Sequence, residues 1–206
     1  MDAGADARLP WLEPQQLTEP QAALHERISA GPRAADSARS PIADGAGRLR
    51  GPFNAMLFNP EVGEPMQALG AALRYRTSLS DRTREIATLV VAAELESDFE
   101  RWAHEPLARA AGVRDDVIAA VAAGREPDGL DAIDHAVWAA TRALVRDGDL
   151  TDDAFAALET AVGSVGCVEV VALAGYYRML ALALRAFRVP IPESAPTDTT
   201  DGPRQR

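Results

Sequence analysis

From Asn59 onward the sequence is cut by helix starts and stops into segments with apolar residues at helical spacing, and no alternating β pattern of useful length appears. Asn59-Pro60 opens a helix whose Val62, Met66, Leu69 and Leu73 share one stripe, predicted to be buried. Ser80 caps the next, with Ile86, Leu89, Val90 and Ala93 as its core face. Ser97 or Asp98 caps a third through Phe99, Trp102, Leu107 and Ala110, closed by Gly112. Pro106 must kink or interrupt that helix, because it lacks an N–H and crowds the preceding turn. A short helix from about Asp115 stops at Gly124, a longer one from about Leu130 stops at Asp147-Gly148, and one capped by Thr151 stops at Gly163. The stretch from Cys167 to Phe187 is apolar nearly all round, which predicts the central helix of the bundle or one covered by a second subunit. Upstream, Thr18 caps a helix through Leu24 and Ile28, residues 32–50 read as an extended loop or a wrap, and 51–58 as a short buried segment behind a Gly-Pro turn. The expectation is an all-α bundle of about seven to eight helices, one domain over 16–192, between a flexible N-terminus (1–15) and a disordered tail (193–206).

Composition narrows the partners. A formal net charge of -10 repels phosphate backbones and anionic bilayers, so neither nucleic acid nor membrane is expected as a partner. The longest apolar stretch, Val168 to Leu184, carries Glu169 and Arg178, and reads as short of a membrane span. The single cysteine, Cys167, allows no intramolecular disulfide and fits a reducing compartment. With neither a basic nor an apolar leader in Met1 to Arg8, the expected location is the cytoplasm.

One set of polar residues stands out. Glu100 and His104 are four apart and share a helix face, while Glu85 sits on the preceding helix among Ile, Leu, Val and Ala. If the two helices pack antiparallel, the three groups converge in an apolar pocket with Trp102 or Phe99 nearby. Burial there raises a carboxyl pKa, and a neighbouring carboxylate favours imidazolium, which suits proton transfer. The same spacing also occurs on solvated helix faces, and Glu and His at that spacing can supply two metal ligands, although no His-x-x-x-His accompanies them. Phe53, Asn54 and Met56 can line a pocket mouth or simply fill core, and one of Tyr176 and Tyr177 can reach the site while the other packs.

The strings Arg84-Glu85-Ile86-Ala87, Phe99-Glu100-Arg101-Trp102-Ala103-His104-Glu105-Pro106-Leu107-Ala108 and Ala110-Ala111-Gly112-Val113 resemble the core of the carboxymuconolactone decarboxylase family, which includes the AhpD-type alkylhydroperoxidases. Gly51-Pro52-Phe53-Asn54, Asn59-Pro60, Gly175-Tyr176-Tyr177 and Phe187-Arg188-Val189-Pro190 resemble the flanks of its cysteine-free members. The resemblance implies the AhpD-like helical fold. In the peroxidase branch a relay Glu precedes a Cys-x-x-Cys pair and a His; here Glu85 takes the relay position, and Ser97 and Glu100 stand where the cysteines would be. Without those thiols the resemblance argues against peroxidase chemistry, which needs a thiolate nucleophile, and Cys167 on the last helix does not replace them.

The decarboxylase branch implies a lyase, or a related isomerase, acting without metal or organic cofactor on a small organic acid or lactone. His104 is then the proton donor, Glu100 its orienting partner or alternate acid, and Glu85 a relay. Trp102, Phe53, Asn54, Phe99, Arg84 and Tyr176 are the expected substrate-binding residues, with Arg84 or Arg101 the candidates for a substrate carboxylate. A homo-oligomer is expected from the apolar last helix, and the resemblance implies a trimer or hexamer. The rival reading is a non-catalytic ligand-binding or scaffold member.

Overall fold

Helix starts fall where the sequence supplies acceptors for free backbone N–H groups. Ser80 Oγ accepts from Thr83 N at 3.0 Å, Asp131 Oδ1 from Asp134 N at 2.8 Å and Thr151 Oγ1 from Ala154 N at 3.2 Å, while Gln21 Oε1 reaches back to Thr18 N at 2.9 Å. The computed structural model describes residues 7–36 and 38–192; the expected tail from 193 lies outside them. Among the described residues there are eight α-helices and no strand: α1 (Glu19–Ser29), α2 (Pro52–Leu57), α3 (Pro60–Tyr75), α4 (Asp81–Glu94), α5 (Asp98–Ala110), α6 (Asp115–Ala122), α7 (Ala132–Arg146) and α8 (Asp152–Ala186).

The central element is α4, not the last helix. Its residues are buried without a break from Thr83 to Ala92, and it packs on α5, α6, α7 and α8. One seam is polar: Asp134 of α7, 1% exposed, accepts from Thr83 Oγ1 at 2.8 Å and from Arg82 Nε at 2.6 Å. The long α8 is interrupted at Gly163 (φ 69°, ψ 172°), where the sequence placed a helix end. Beyond the break Val170, Leu173, Tyr176, Tyr177 and Leu180 face the core, while Val165, Val168, Val171 and Leu182 are 67%, 70%, 49% and 62% exposed. With 35 residues and a window of mean hydropathy 1.6, α8 is long and apolar enough to cross a bilayer by length and composition alone, contrary to the sequence reading. Within the fold its inward side is core.

Two further expectations change. The stripe predicted for α3 is only partly buried: Val62 is 52% and Leu69 45% exposed, and the covered face is Gly63, Gln67, Gly70 and Leu73. Glycine decides this. A Cβ at Gly63 would lie 2.2 Å from Met56 O of α2, and one at Gly70 would lie 2.1 Å from the Tyr176 hydroxyl of α8. The smallest residues therefore mark the close crossings, where a hydrophobicity pattern carries no signal. In α5 the helix runs through Pro106 to Ala110, so it is not interrupted there.

Residues 32–36 and 38–50 form more than an extended loop. A 3-10 turn (Pro32–Asp36) is followed by a tight hairpin, with Arg50 N donating to Ile42 O at 2.8 Å, Asp44 N to Arg48 O at 3.0 Å, and an isolated antiparallel bridge between Ala43 and Leu49. Asp44 holds its turn by accepting from Ala46 N at 2.9 Å and Arg48 N at 3.0 Å. The described part of the expected flexible start is fastened at both ends of its course: Arg8 N bonds Phe187 O at 2.9 Å, and Leu12 N bonds Asn54 Oδ1 at 3.0 Å.

Candidate active site

A short connection through Glu96, whose φ of 52° turns the chain sharply, makes α4 and α5 an antiparallel hairpin. That brings Glu85 of α4 level with His104 of α5, and with the proton on Nδ1 the imidazole donates to Glu85 Oε2 at 2.7 Å. On the other side of the ring, Nε2 lies 3.5 Å from Glu100 Oε2, one helical turn away. The three side chains form a line, all buried, at 2%, 5% and 4% exposure for Glu85, His104 and Glu100. Tyr177 stands edge-on to the His104 ring at 5.1 Å and 90°, and Tyr176 packs at 84° against Tyr177.

The two carboxyls are driven in opposite directions. Burial pushes Glu85 up, but the His104 charge and hydrogen bond, with Arg74 and Arg84, outweigh it and hold the group below the usual carboxylate range. Burial also pushes Glu100 up, the Glu85 charge adds to this, and His104 and Arg74 only partly oppose it, so Glu100 sits above that range. Its Oε1 is buried with no hydrogen-bond partner. Burial pushes the Tyr176 phenol up to about 12 and drives Tyr177 further in the same direction, so both are neutral hydroxyls near pH 7.

Glu100 and His104 open onto a cavity of about 60 Å³ between α5, α8, α3 and the 42–50 hairpin. At roughly 10–15 Å³ per water-sized occupant, this is room for about five waters or one small ring compound. Phe53, Phe99, Trp102 and Tyr176 line it, as the sequence suggested, and Phe99 and Trp102 pack at 5.4 Å. Two expected pocket residues lie elsewhere. Arg84 does not line the cavity: it reaches Glu85 Oε1 at 3.7 Å and Asp81 Oδ1 at 3.0 Å. Asn54 spends its amide on the N-terminal strap, donating to Pro10 O at 3.1 Å and accepting from Leu12 N. Arg101 is a surface residue paired with Glu105 at 3.2 Å.

The cavity also has walls that the helical pattern did not show. Tyr177 joins Tyr176 there, and Arg33, Arg50 and Arg74 bring positive charge. Arg33 donates to Gln67 Oε1 at 3.3 Å and Gln67 O at 3.2 Å, and lies over the Phe53 ring. The density of arginine in residues 33–50 was the available clue, but only the hairpin's register says which of them turns inward. Cys167 is in the hydrophobic core, and burial pushes its thiol up, away from the thiolate form.

These features define a class: an AhpD-like all-α protein with a buried Glu–His–Glu relay on a helical hairpin, opening onto an aromatic cavity. Residues 60–144, which include all three relay residues, match the model of the carboxymuconolactone decarboxylase family. No curated protein sequence matches the chain. Among solved structures it is similar to the alkylhydroperoxidase AhpD core of a peroxidase-related protein from Ralstonia eutropha JMP134. The TM-score is 0.72 at 14% identity, covering 91% of this chain and 93% of that one. A peroxidase-related protein from Silicibacter sp. TM1040 superposes with a TM-score of 0.70 at 14% identity, covering 92% and 93%. The debrominase Bmp8, in complex with 2,3,4-tribromopyrrole, gives 0.65 at 14% identity, covering 91% of each chain.

Proposed function

We propose that the protein is a general acid–base enzyme, a decarboxylating lyase or a related isomerase, working without metal or organic cofactor on a small organic acid or lactone. The observation that carries this reading is the line Glu85–His104–Glu100 with its outer carboxyl raised and facing the cavity. Glu100, whose burial favours the protonated form, is the acid that meets substrate; His104 stands behind it, and Glu85, ionised, fixes the imidazole with its proton on Nδ1. This exchanges two roles assigned from the sequence, where His104 was the donor. Loss of CO2 leaves the electron pair on the substrate as an enolate. The Glu100 proton goes to carbon, and the Glu100 carboxylate left behind regains a proton from solvent water entering the cavity. Aromatic walls disfavour a carboxylate that is to be lost, since it sheds its charge as CO2 leaves.

The test is a panel of β-keto acids and unsaturated lactone acids in D2O, followed for CO2 release and deuterium incorporation by NMR. Glu100→Gln should lower turnover by roughly 10²–10⁴, the usual worth of a positioned acid. Wild-type turnover in that variant would refute the assignment, and no turnover of any compound would favour the ligand-binding reading. In the same reading the protein acts in the cytoplasm as a homo-oligomer assembled through the exposed side of α8.

A further inference from the structure

The cavity contains a second orphaned polar group besides Glu100 Oε1. Arg50 lies on the cavity wall with its Nε buried and without a hydrogen-bond partner, and no carboxylate pairs with its guanidinium among the described residues. Arg33, by contrast, is occupied by Gln67 and stacked on Phe53. A buried guanidinium nitrogen without an acceptor is costly and rare unless a ligand supplies one.

The position of Arg50 is built. Its backbone N is tied to Ile42 O at 2.8 Å across a hairpin whose turn is held by Asp44, so the strand carrying it has one register. The next residue, Gly51, has φ 61° and ψ -138°, a conformation open to glycine, and its Cβ position lies 2.5 Å from the Phe99 ring of α5. Chain direction at Arg50 is therefore set by the same helix that carries Glu100 and His104. The hairpin delivers a cation to one wall of a cavity whose other wall is the acid.

We infer that Arg50 is the specificity-determining residue of the site proposed above, seating a carboxylate that stays on the substrate while its ring lies between the aromatic walls. The inference rests on the acid–base reading for what happens next, but not for binding itself. Arginine matches a carboxylate with two parallel N–H donors, and Nε is one of those that form the fork. The seated carboxylate is the one retained, because an ion pair stabilises its charge and so opposes its departure as CO2. The sequence pointed to Arg84 or Arg101 for this task; both are engaged outside the cavity.

An unreactive probe separates this from catalysis. 2-Furoate is planar and small enough for the cavity, and 2-furamide has the same shape without the charge. Calorimetric titration should show wild-type protein binding 2-furoate with a Kd below about 1 mM and 2-furamide at least about tenfold more weakly. Arg50→Gln should abolish that difference, with Arg50→Lys, which keeps the charge but not the fork, in between. Circular dichroism melts check that the variants are folded; should Arg50→Gln fail to fold, Arg50→Lys decides, and unchanged furoate affinity in it overturns the inference. Equal binding of acid and amide, or no furoate binding in wild type, also overturns it. If Arg50→Gln loses furoate while Glu100→Gln keeps full turnover, the carboxylate seat stands and the acid–base assignment fails.

Discussion

At the scale of the residue, one imidazole between two carboxyls is enough to divide their work, because each carboxyl sees a different second neighbour. Glu85 has the short His104 bond plus Arg84; Glu100 has a longer approach to His104, an unpartnered oxygen, and the Glu85 charge behind the ring. The groups facing Glu100 are His104 on its own helix, Glu85 on α4, Arg74 on α3 and Tyr176 and Tyr177 on α8. Glu100 keeps its proton in the folded state after the unfolded chain has lost it, so the protein loses stability as pH rises from the ordinary value of 4.5 through the raised one. Glu100→Gln has no such loss. Its melting temperature minus that of wild type should therefore increase with pH across that window and then level off; a difference independent of pH would contradict a raised Glu100. Glu85 contributes the opposite limb, its stabilisation being lost as pH falls through its depressed pKa. All three relay residues were named from the sequence, where helical spacing left a solvated face equally open and the family resemblance favoured a site. Their division of labour was not, since it depends on which carboxyl the cavity leaves unpartnered.

At the scale of the element, α4 is located by polar groups as much as by its apolar run. Asp134 takes hydrogen bonds from both Thr83 and Arg82 while itself buried on α7, so it ties the first turn of α4 to the neighbouring helix. Asp134→Ala should lower the unfolding free energy by about 3 kcal/mol, since it leaves Thr83 and part of Arg82 without their acceptor, and Thr83→Val by about 1 kcal/mol. Urea denaturation checks both; a loss under about 0.5 kcal/mol for Asp134→Ala would mean the seam rests on apolar packing alone. Close approach matters as well. Gly70→Ala puts a methyl where the Tyr176 hydroxyl sits, so it should displace that phenol from the cavity wall. Helix bounds were readable from caps and glycines, whereas the buried face of α3 was not: its crossings are made by residues that have no side chain to count.

At the scale of the whole molecule, the outer side of α8 is the feature the chain itself leaves uncovered. Val165, Val168, Val171 and Leu182 are exposed along one helix, and exposed apolar side chains of this kind favour an interface. The proposed occupant is another copy of the chain. Val168→Asp should reduce the particle mass in light scattering toward the monomer without loss of helical circular dichroism. A wild-type monomer at micromolar concentration would overturn the proposal.

What the sequence by itself determined is whatever repeats or caps within a helix: the all-α class, most helix ends, the Gly163 break, and the placing of Glu100 and His104 on one helix face. These depend on spacing along one chain segment or across one short turn. Only the tertiary structure decided that α4 is central, that Arg84 and Asn54 are engaged elsewhere, and that Arg50 lines the cavity. Those outcomes depend on which distant surfaces meet, and the surfaces meet through glycines and a hairpin register that leave no periodic trace in the sequence.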